Sequence, residues 1–299
     1  MADFDKWISD ARAEMSVDEV ARIALAQRLG AVVHFLPLAA YLAEENVRFI
    51  HAARVSTRRA SAALRLFKVF LPKKPGTCMK ATVREVRDSM GEARDLDVYL
   101  QRFCDSGDSG AVRFRRRLER KRFKAQFPII ECAAPLLEKR RLRRRVAKLV
   151  ERTAGGQDQS FKDWAHGKVR EQWSIFLAAV PGDKPAALEL HQFRIAGKRF
   201  RYAIELLSGG LPSVVREEVY PQITQLQSQL GEIQDHAVAA KKLRKWKKKL
   251  KRKRDRKMIT QFEQDELEQF AGKSAAFTHW WRRERIEGIR EVVANVCDC

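Results

Sequence analysis

Residues 51–59 read HAARVSTRR and residues 191–199 read HQFRIAGKR, so a histidine, an arginine three places on, a Val or Ile, a basic residue and a final arginine recur in register. From His51 to His191 the offset is 140. A second pair of stretches keeps it: residues 90–98 read MGEARDLDV, residues 230–238 read LGEIQDHAV, and Gly91 is matched by Gly231. Each glycine follows its histidine at the same interval, from 51 to 91 and from 191 to 231, so whatever joins the two motifs is preserved in length. One offset shared by two separate motifs marks a duplicated supersecondary unit. It predicts a pair of helical bundles related by an internal pseudo-twofold axis.

Around these motifs apolar residues recur at helical spacing, and no stretch keeps the strict alternation that a half-buried strand needs. The expected fold is therefore all-α. Breaks are read at Pro72-Lys73-Lys74-Pro75-Gly76, Ser106-Gly107-Asp108, Gly155-Gly156, Pro181-Gly182-Asp183 and Ser208-Gly209-Gly210-Leu211-Pro212, each a Gly/Pro or polar cluster. They divide the chain into helices of roughly 20–30 residues. Ser16-Val17-Asp18-Glu19 reads as a capping box, and Ser160-Phe161-Lys162-Asp163 as the start of the second copy's first helix. The expected organisation is an N-terminal extension over 1–15, a first repeat over 16–153, a linker over 154–160, a second repeat over 161–285 and a C-terminal segment over 286–299.

Sixty Lys and Arg against 38 Asp and Glu give a formal net charge of +22. Self-repulsion on that scale disfavours a compact chain unless an anion meets it. The partner classes that follow are nucleic acid, an anionic membrane or another polyanion. The N-terminus, with Asp3 and Asp5 before Trp7, lacks a secretory layout, and the apolar stretch Ala31 to Ala43, interrupted by His34 and Pro37, reads as too short to span a bilayer. No membrane insertion is expected, and the reading is cytoplasmic. Cys78, Cys104, Cys132, Cys297 and Cys299 are odd in number and form no zinc-type pair of pairs, so free thiols, no metal and no cofactor are expected.

On a helical wheel Arg54, Arg58 and Arg65 fall within about 60° of His51, while Phe49, Ala60, Ala63, Phe67 and Phe70 cluster on another face. In the second copy His191, Arg194, Lys198 and Tyr202 group together, flanked by Arg201, with Phe193, Phe200, Ile204 and Leu207 on the packing side. An arginine fork donates two parallel hydrogen bonds to neighbouring phosphate oxygens, and lysine acts as a mobile point charge. A stripe of them can follow a phosphate chain, with each histidine donating a further bond. The second motif adds Arg84, Arg87 and Arg94 to the first copy. The matching positions hold Thr224, Gln227 and Gln234, and Arg65 is matched by Glu205, so the anion track is expected to be lopsided. Gly91 and Gly231 read as allowing close helix approach, and Asp95 and Asp235 as orienting arginines or capping backbone groups.

From Lys241 to Lys257 every residue is Lys or Arg except Leu243, Trp246, Leu250 and Asp255. Leu243, Trp246 and Leu250 lie at i, i+3 and i+7, so this run reads as one helix pinned by a narrow apolar stripe. Arg113 to Lys124 and Lys139 to Lys148 are similar but less dense.

The pattern His51-x-x-Arg54-Val55-x-x-Arg58-Arg59, followed at the shared interval by Gly91-Glu92-x-Arg94-Asp95 and repeated from His191, resembles the conserved histidine α-helical domain, CHAD, over roughly residues 16 to 285. The resemblance implies two four-helix bundles with internal pseudo-symmetry, a basic central groove or pore, and binding of inorganic polyphosphate. The ligand-facing set it implies is His51, Arg54, Arg58, Arg59, His191, Arg194, Lys198 and Arg199. Gln234 and Glu205 depart from an even sharing between the copies. Domains of this family are often fused to a triphosphate-tunnel hydrolase, whose Glu-x-Glu-x-Lys strand motif this sequence lacks. The implied function is binding without catalysis, with polyphosphate storage granules as a place of action.

Charge alone does not separate polyphosphate from nucleic acid, since both are phosphate chains. Base stacking wants exposed aromatics among the basic residues, and Trp246, Trp280 and Trp281, the candidates by sequence, read as packing residues. An enzyme would need His51 or His191 to accept a phosphoryl group or act as an acid. Neither a P-loop nor a zinc-protease helix motif is present, and the basic stripe around each histidine contains no nearby carboxylate pair.

Overall fold

The computed structural model describes residues 5–102, 109–156, 158–182 and 185–298. Cys104, the break at Ser106-Gly107-Asp108, Asp183, Cys299 and the Cys297 side chain lie outside them, as does Asp3. Every long element described is helical: α1 (Val17–Tyr41), α2 (Arg48–Leu66), α3 (Lys73–Ser89), α4 (Gly91–Arg102), α5 (Ser109–Lys124), α6 (Phe127–Leu137), α7 (Arg141–Glu151), α8 (Phe161–Leu177), α9 (Ala187–Leu207), α10 (Tyr220–Lys247), α11 (Lys253–Trp280) and α12 (Arg283–Asp298). The all-α expectation holds. The lengths spread more widely than expected, from 11 residues in α6 to 28 in α10.

The helices gather into two compact units, each discontinuous in sequence. Unit 1 comprises 1–105, 115–164 and 205–210; unit 2 comprises 106–114, 165–204 and 211–299.

In unit 1, Ser16 opens α1 as its spacing predicts: the Ser16 amide donates to the Glu19 carboxylate at 2.9 Å and the hydroxyl to the same oxygen at 2.7 Å. The two bonds from Ser16 hold the Glu19 carboxyl below its ordinary value. The expected short apolar stretch is in fact part of a 25-residue helix, because His34 and Pro37 do not end it. By length and composition α1 is apolar enough to cross a membrane. It instead buries Val17, Val20, Leu25, Leu29 and Leu36 within unit 1, packing against α2, α6 and α7 while α3 packs against the same three helices. Fully burying one such side chain contributes about 1.5–3 kcal/mol, which outweighs the backbone bond that Pro37 removes.

The stretch before Ser16, expected as an extension, is part of this core. Trp7, Ile8 and Ala11 are buried, and Arg28 and Gln27 donate to the carbonyls of Asp5, Lys6 and Trp7. The polar stretch 154–160 is tied in as well: Val17 donates to the carbonyls of Gly156 and Gln159, Ala154 donates to Phe70, and Ser16 bridges Ser160. Residues 205–210 end in a 3-10 turn, Ser208–Gly210, where a Cβ on Gly209 would lie 2.2 Å from the Ala11 carbonyl oxygen. Only glycine permits that approach. Phe67 stacks on Trp164 at 5.2 Å to close the unit's aromatic core.

Unit 2 is organised around rings. Phe176 stacks on Phe193 at 5.1 Å and on Phe200 at 5.5 Å, and Phe193 meets Trp281 at 5.5 Å, which joins α8, α9 and the end of α11. Its longest elements, α10 and α11, form an antiparallel hairpin. Lys247 and Arg244 bond Glu263 at 2.6 and 2.7 Å, His236 meets Glu266 at 2.6 Å, and Lys273 reaches Glu232 at 2.6 Å.

Two further expectations need correction. The run Lys241–Lys257 is not one helix: α10 stops at Lys247 and α11 starts at Lys253. Like charges at i,i+4 disfavour helix through such a run, and the reversal lets Glu263 and Glu266 come back against α10. The break expected at 72–76 begins earlier, since α3 starts at Lys73 and carries Pro75 in its first turn, where a missing N–H costs nothing.

Candidate functional site

The His51 face of α2 is built as the wheel predicts. Ile50, Ala53, Ala60, Ala63 and Phe67 are buried, while His51 and Arg65 are exposed and Arg54, Arg58 and Arg59 are partly buried. Residues from α3 and α4 complete the site. The Arg54 guanidinium donates to the Arg87 backbone carbonyl at 2.8 Å. Arg58 Nε is buried without a hydrogen-bond partner.

The electrostatics of this cluster are those of crowded cations. Partial desolvation first, then the guanidinium groups of Arg94, Arg58 and Arg54, hold the His51 imidazole below its ordinary value. Desolvation and Arg58 likewise lower Arg54, opposed by Asp95, with Arg87 and Arg94 adding to the repulsion. Asp95 thus acts on an arginine, as its position suggested. Asp88 is a carboxylate the sequence reading passed over. It bonds Arg87 at 3.2 Å and Arg84 at 3.4 Å, and the i,i+4 spacing from Arg84 was its legible signal.

Unit 2 repeats the placement with different chemistry. His191 Nδ1 donates to Gln234 Oε1 at 2.8 Å, and positions 191 and 234 match His51 and Arg94. Gln227 Nε2 donates to the Arg194 carbonyl at 3.2 Å, and positions 194 and 227 match Arg54 and Arg87. Positions 54/87 and 194/227 therefore meet in both units, with the donor on opposite partners, while Arg94 acts on His51 through its charge where Gln234 bonds His191. An amide at 234 can accept from a histidine, which a guanidinium at 94 cannot do. A Cβ on Gly197 would lie 2.3 Å from Gln227 Nε2, so this glycine admits the amide. Arg201 lies over the ring of Tyr202 at 4.9 Å, Tyr202 itself is buried, and Arg199 is exposed.

Of the residues singled out by sequence, the structure thus gathers His51, Arg54, Arg58, Arg87 and Arg94 in unit 1, with Arg84 joined through Asp88. Arg59 faces elsewhere: its Nε donates to Glu205 at 3.1 Å, and that carboxylate is 1% exposed. Arg65 lies farther along α2 than the cluster, about 21 Å from His51 by helical rise. In unit 2, His191, Arg194 and Lys198 are partly buried on α9.

The glycines of the second motif do not serve close helix approach. A Cβ on Gly91 would meet only Arg54 Nη1, at 3.7 Å, and one on Gly231 would meet nothing within 4 Å. Gly91 starts α4 after the chain turns at Met90, whereas Gly231 lies inside unbroken α10.

Among the tryptophans, Trp246 and Trp281 are buried; Trp246 packs edge-on against Phe114 at 5.3 Å, and Trp280 lies 5.7 Å from Trp281. The packing reading holds for all three. Among the described residues, no three His, Cys, Asp or Glu side chains gather as a metal site would require.

The CHAD domain family model matches residues 23–244, most of the chain. No curated protein matches it. Among solved structures the chain is similar to the CHAD domain from the plant Ricinus communis, at 20% identity and a TM-score of 0.70 over 95% of this chain and 93% of that one. It is also similar to PptA from Streptomyces chartreusis, at 16% identity and a TM-score of 0.64, over 89% of this chain and 99% of that one. At such identities the likeness speaks for the fold.

Proposed function

The chain belongs to the CHAD domain family, and from that membership we propose that it binds inorganic polyphosphate at the cationic cluster of unit 1, without breaking the polyanion. The observation that carries this reading is the crowding of Arg58 and Arg94 near His51 and Arg54, whose values burial and these neighbouring guanidinium groups hold down, with a buried Arg58 Nε that no protein acceptor meets. Such a cluster costs stability when empty and releases that cost when a phosphate chain threads it. Phosphate oxygens are matched to arginine forks, and a neutral imidazole can take up a proton as the anion arrives.

The site is lopsided in this reading. Unit 1 supplies most of the ligand contacts, while Gln234 and Gln227 let unit 2 keep its packing without an anion. The matching contacts at 54/87 and 194/227, with the Arg94 charge acting on His51 where Gln234 bonds His191, also support descent of both units from one ancestral helical unit. The protein acts in the cytoplasm in this account, in association with polyphosphate granules, and α1 stays within the protein rather than entering a membrane.

Competition binding tests the proposal: labelled polyphosphate is displaced by unlabelled polyphosphate, short phosphates, single-stranded DNA and RNA across a salt series. Polyphosphate should compete best at physiological salt, and His51→Ala with Arg58→Ala should weaken it while leaving helical content intact. Equal competition by DNA would refute specific binding. Phosphate release on long incubation, abolished by His51→Ala or His191→Ala, would overturn the binding-only reading.

A further inference from the structure

We propose that the solvent face of α5 and the start of α6, in unit 1, is a second binding surface, one for single-stranded nucleic acid. Phe123 and Phe127 carry the argument. They are 60% and 51% exposed, and they touch edge to face with centroids 5.6 Å apart. Among the described residues the other exposed aromatic of this size is Tyr41; every described tryptophan and the remaining large rings are at least partly covered.

The surroundings are cationic. Arg116, Arg120 and Lys124 are exposed on the same helix face, a stretch of about 12 Å along the axis. Glu119, the acid within that face, is met by Arg115 at 2.9 Å. The platform beneath is held rigidly: Gln126 donates at 2.8 Å to the carbonyls of both Ala39 and Ala40, and Arg122 is turned inward onto Asp97. Two rings on a fixed backbone, spaced among positive charges, offer stacking to bases and ion pairs to the phosphates between them. Polyphosphate has no π-face and gains nothing from the rings, and duplex bases are already stacked on each other. Unstacked bases on a phosphate backbone use both features. This surface shares no residue with the His51 cluster, so it stands or falls apart from the function proposed above.

The test is fluorescence anisotropy of the full chain with labelled oligo-uridylate, a duplex of equal length and labelled polyphosphate. A Phe123→Leu, Phe127→Leu variant keeps the apolar volume and loses the rings, whereas Phe123→Trp, Phe127→Trp keeps them. Oligo-uridylate binding should weaken about tenfold or more in the Leu variant, persist in the Trp variant, and leave polyphosphate binding unchanged in both. Unaltered oligo-uridylate binding by the Leu variant would overturn the proposal, as would an equal loss for duplex, which marks charge alone. Loss in that variant of self-association by sedimentation, or of binding to anionic phospholipid vesicles, with oligo-uridylate binding retained, would reassign the surface to a second copy or to a membrane.

Discussion

Replacing Arg58 with Ala separates function from stability at the proposed site. Arg58 Nε has no hydrogen-bond partner, so truncation orphans no acceptor there, and the charge removed is one that lowers both His51 and Arg54. Loss of a partly buried aliphatic stem is offset by relief of that repulsion. The net change in the free protein is expected within about 1 kcal/mol, a shift of a few degrees in Tm. Binding should respond much more. One charge-assisted hydrogen bond is worth about 1.5–3 kcal/mol, so Kd for polyphosphate should rise about 10- to 150-fold. The dependence of log K on log salt should flatten by about 0.7, the increment for one phosphate contact on a flexible strand. Titration calorimetry over a salt series, with thermal melts of the same samples, measures both quantities. Arg290→Ala, exposed on α12 and outside either motif, is the control. Affinity within twofold of the parent with an unchanged salt slope would refute the reasoning. A fall in Tm above about 5 °C would do so too, because it would make Arg58 a structural residue.

Glu205→Ala should behave oppositely, since it strips the carboxylate that meets Arg59 in a buried setting. Breaking such a pair costs about 3–5 kcal/mol, a fall of about 6–20 °C in Tm, and recovery in a Glu205→Leu, Arg59→Met double variant would identify the unpaired charge as the cause. An unchanged melt would show that the pair contributes nothing. For His51 the folded-state value is lowered, so the stability it contributes is present above the ordinary imidazole value and is lost as pH falls below it. Binding has the opposite sign: phosphate favours the imidazolium, so polyphosphate affinity should rise as pH falls from about 8 to about 6, and His51→Gln should flatten that dependence. Identical pH profiles for parent and variant would exclude His51 from the site.

Helical class and the placement of the paired motifs were legible because they rest on local rules. Ser16 with Glu19, and Ser160 with Asp163, mark helix starts through contacts between near neighbours in sequence. The wheel separates the buried Ala60, Ala63 and Phe67 from the cationic face correctly. What was not legible depends on partners distant in sequence. Arg59 looks like its neighbours until Glu205, 146 residues away, claims it. The run through Lys257 looks like one helix until Glu263 and Glu266 return against α10. Phe123 could have been found on the α5 wheel, opposite Phe114 and Leu118. Attention to tryptophan alone hid it.

The return of residues 205–210 into unit 1 sets an order on the protein's making. A chain emerging from the ribosome carries everything through Trp164 well before the segment that completes its fold. Synthesis from Trp164 to Gly210 takes about 2–10 seconds. During that interval the Ala11 backbone lacks the glycine turn that seats on it and Arg59 lacks its carboxylate. Unit 1 is thus completed late, and a chain that ends before Glu205 leaves the Ala11 backbone without its glycine turn and Arg59 without its carboxylate.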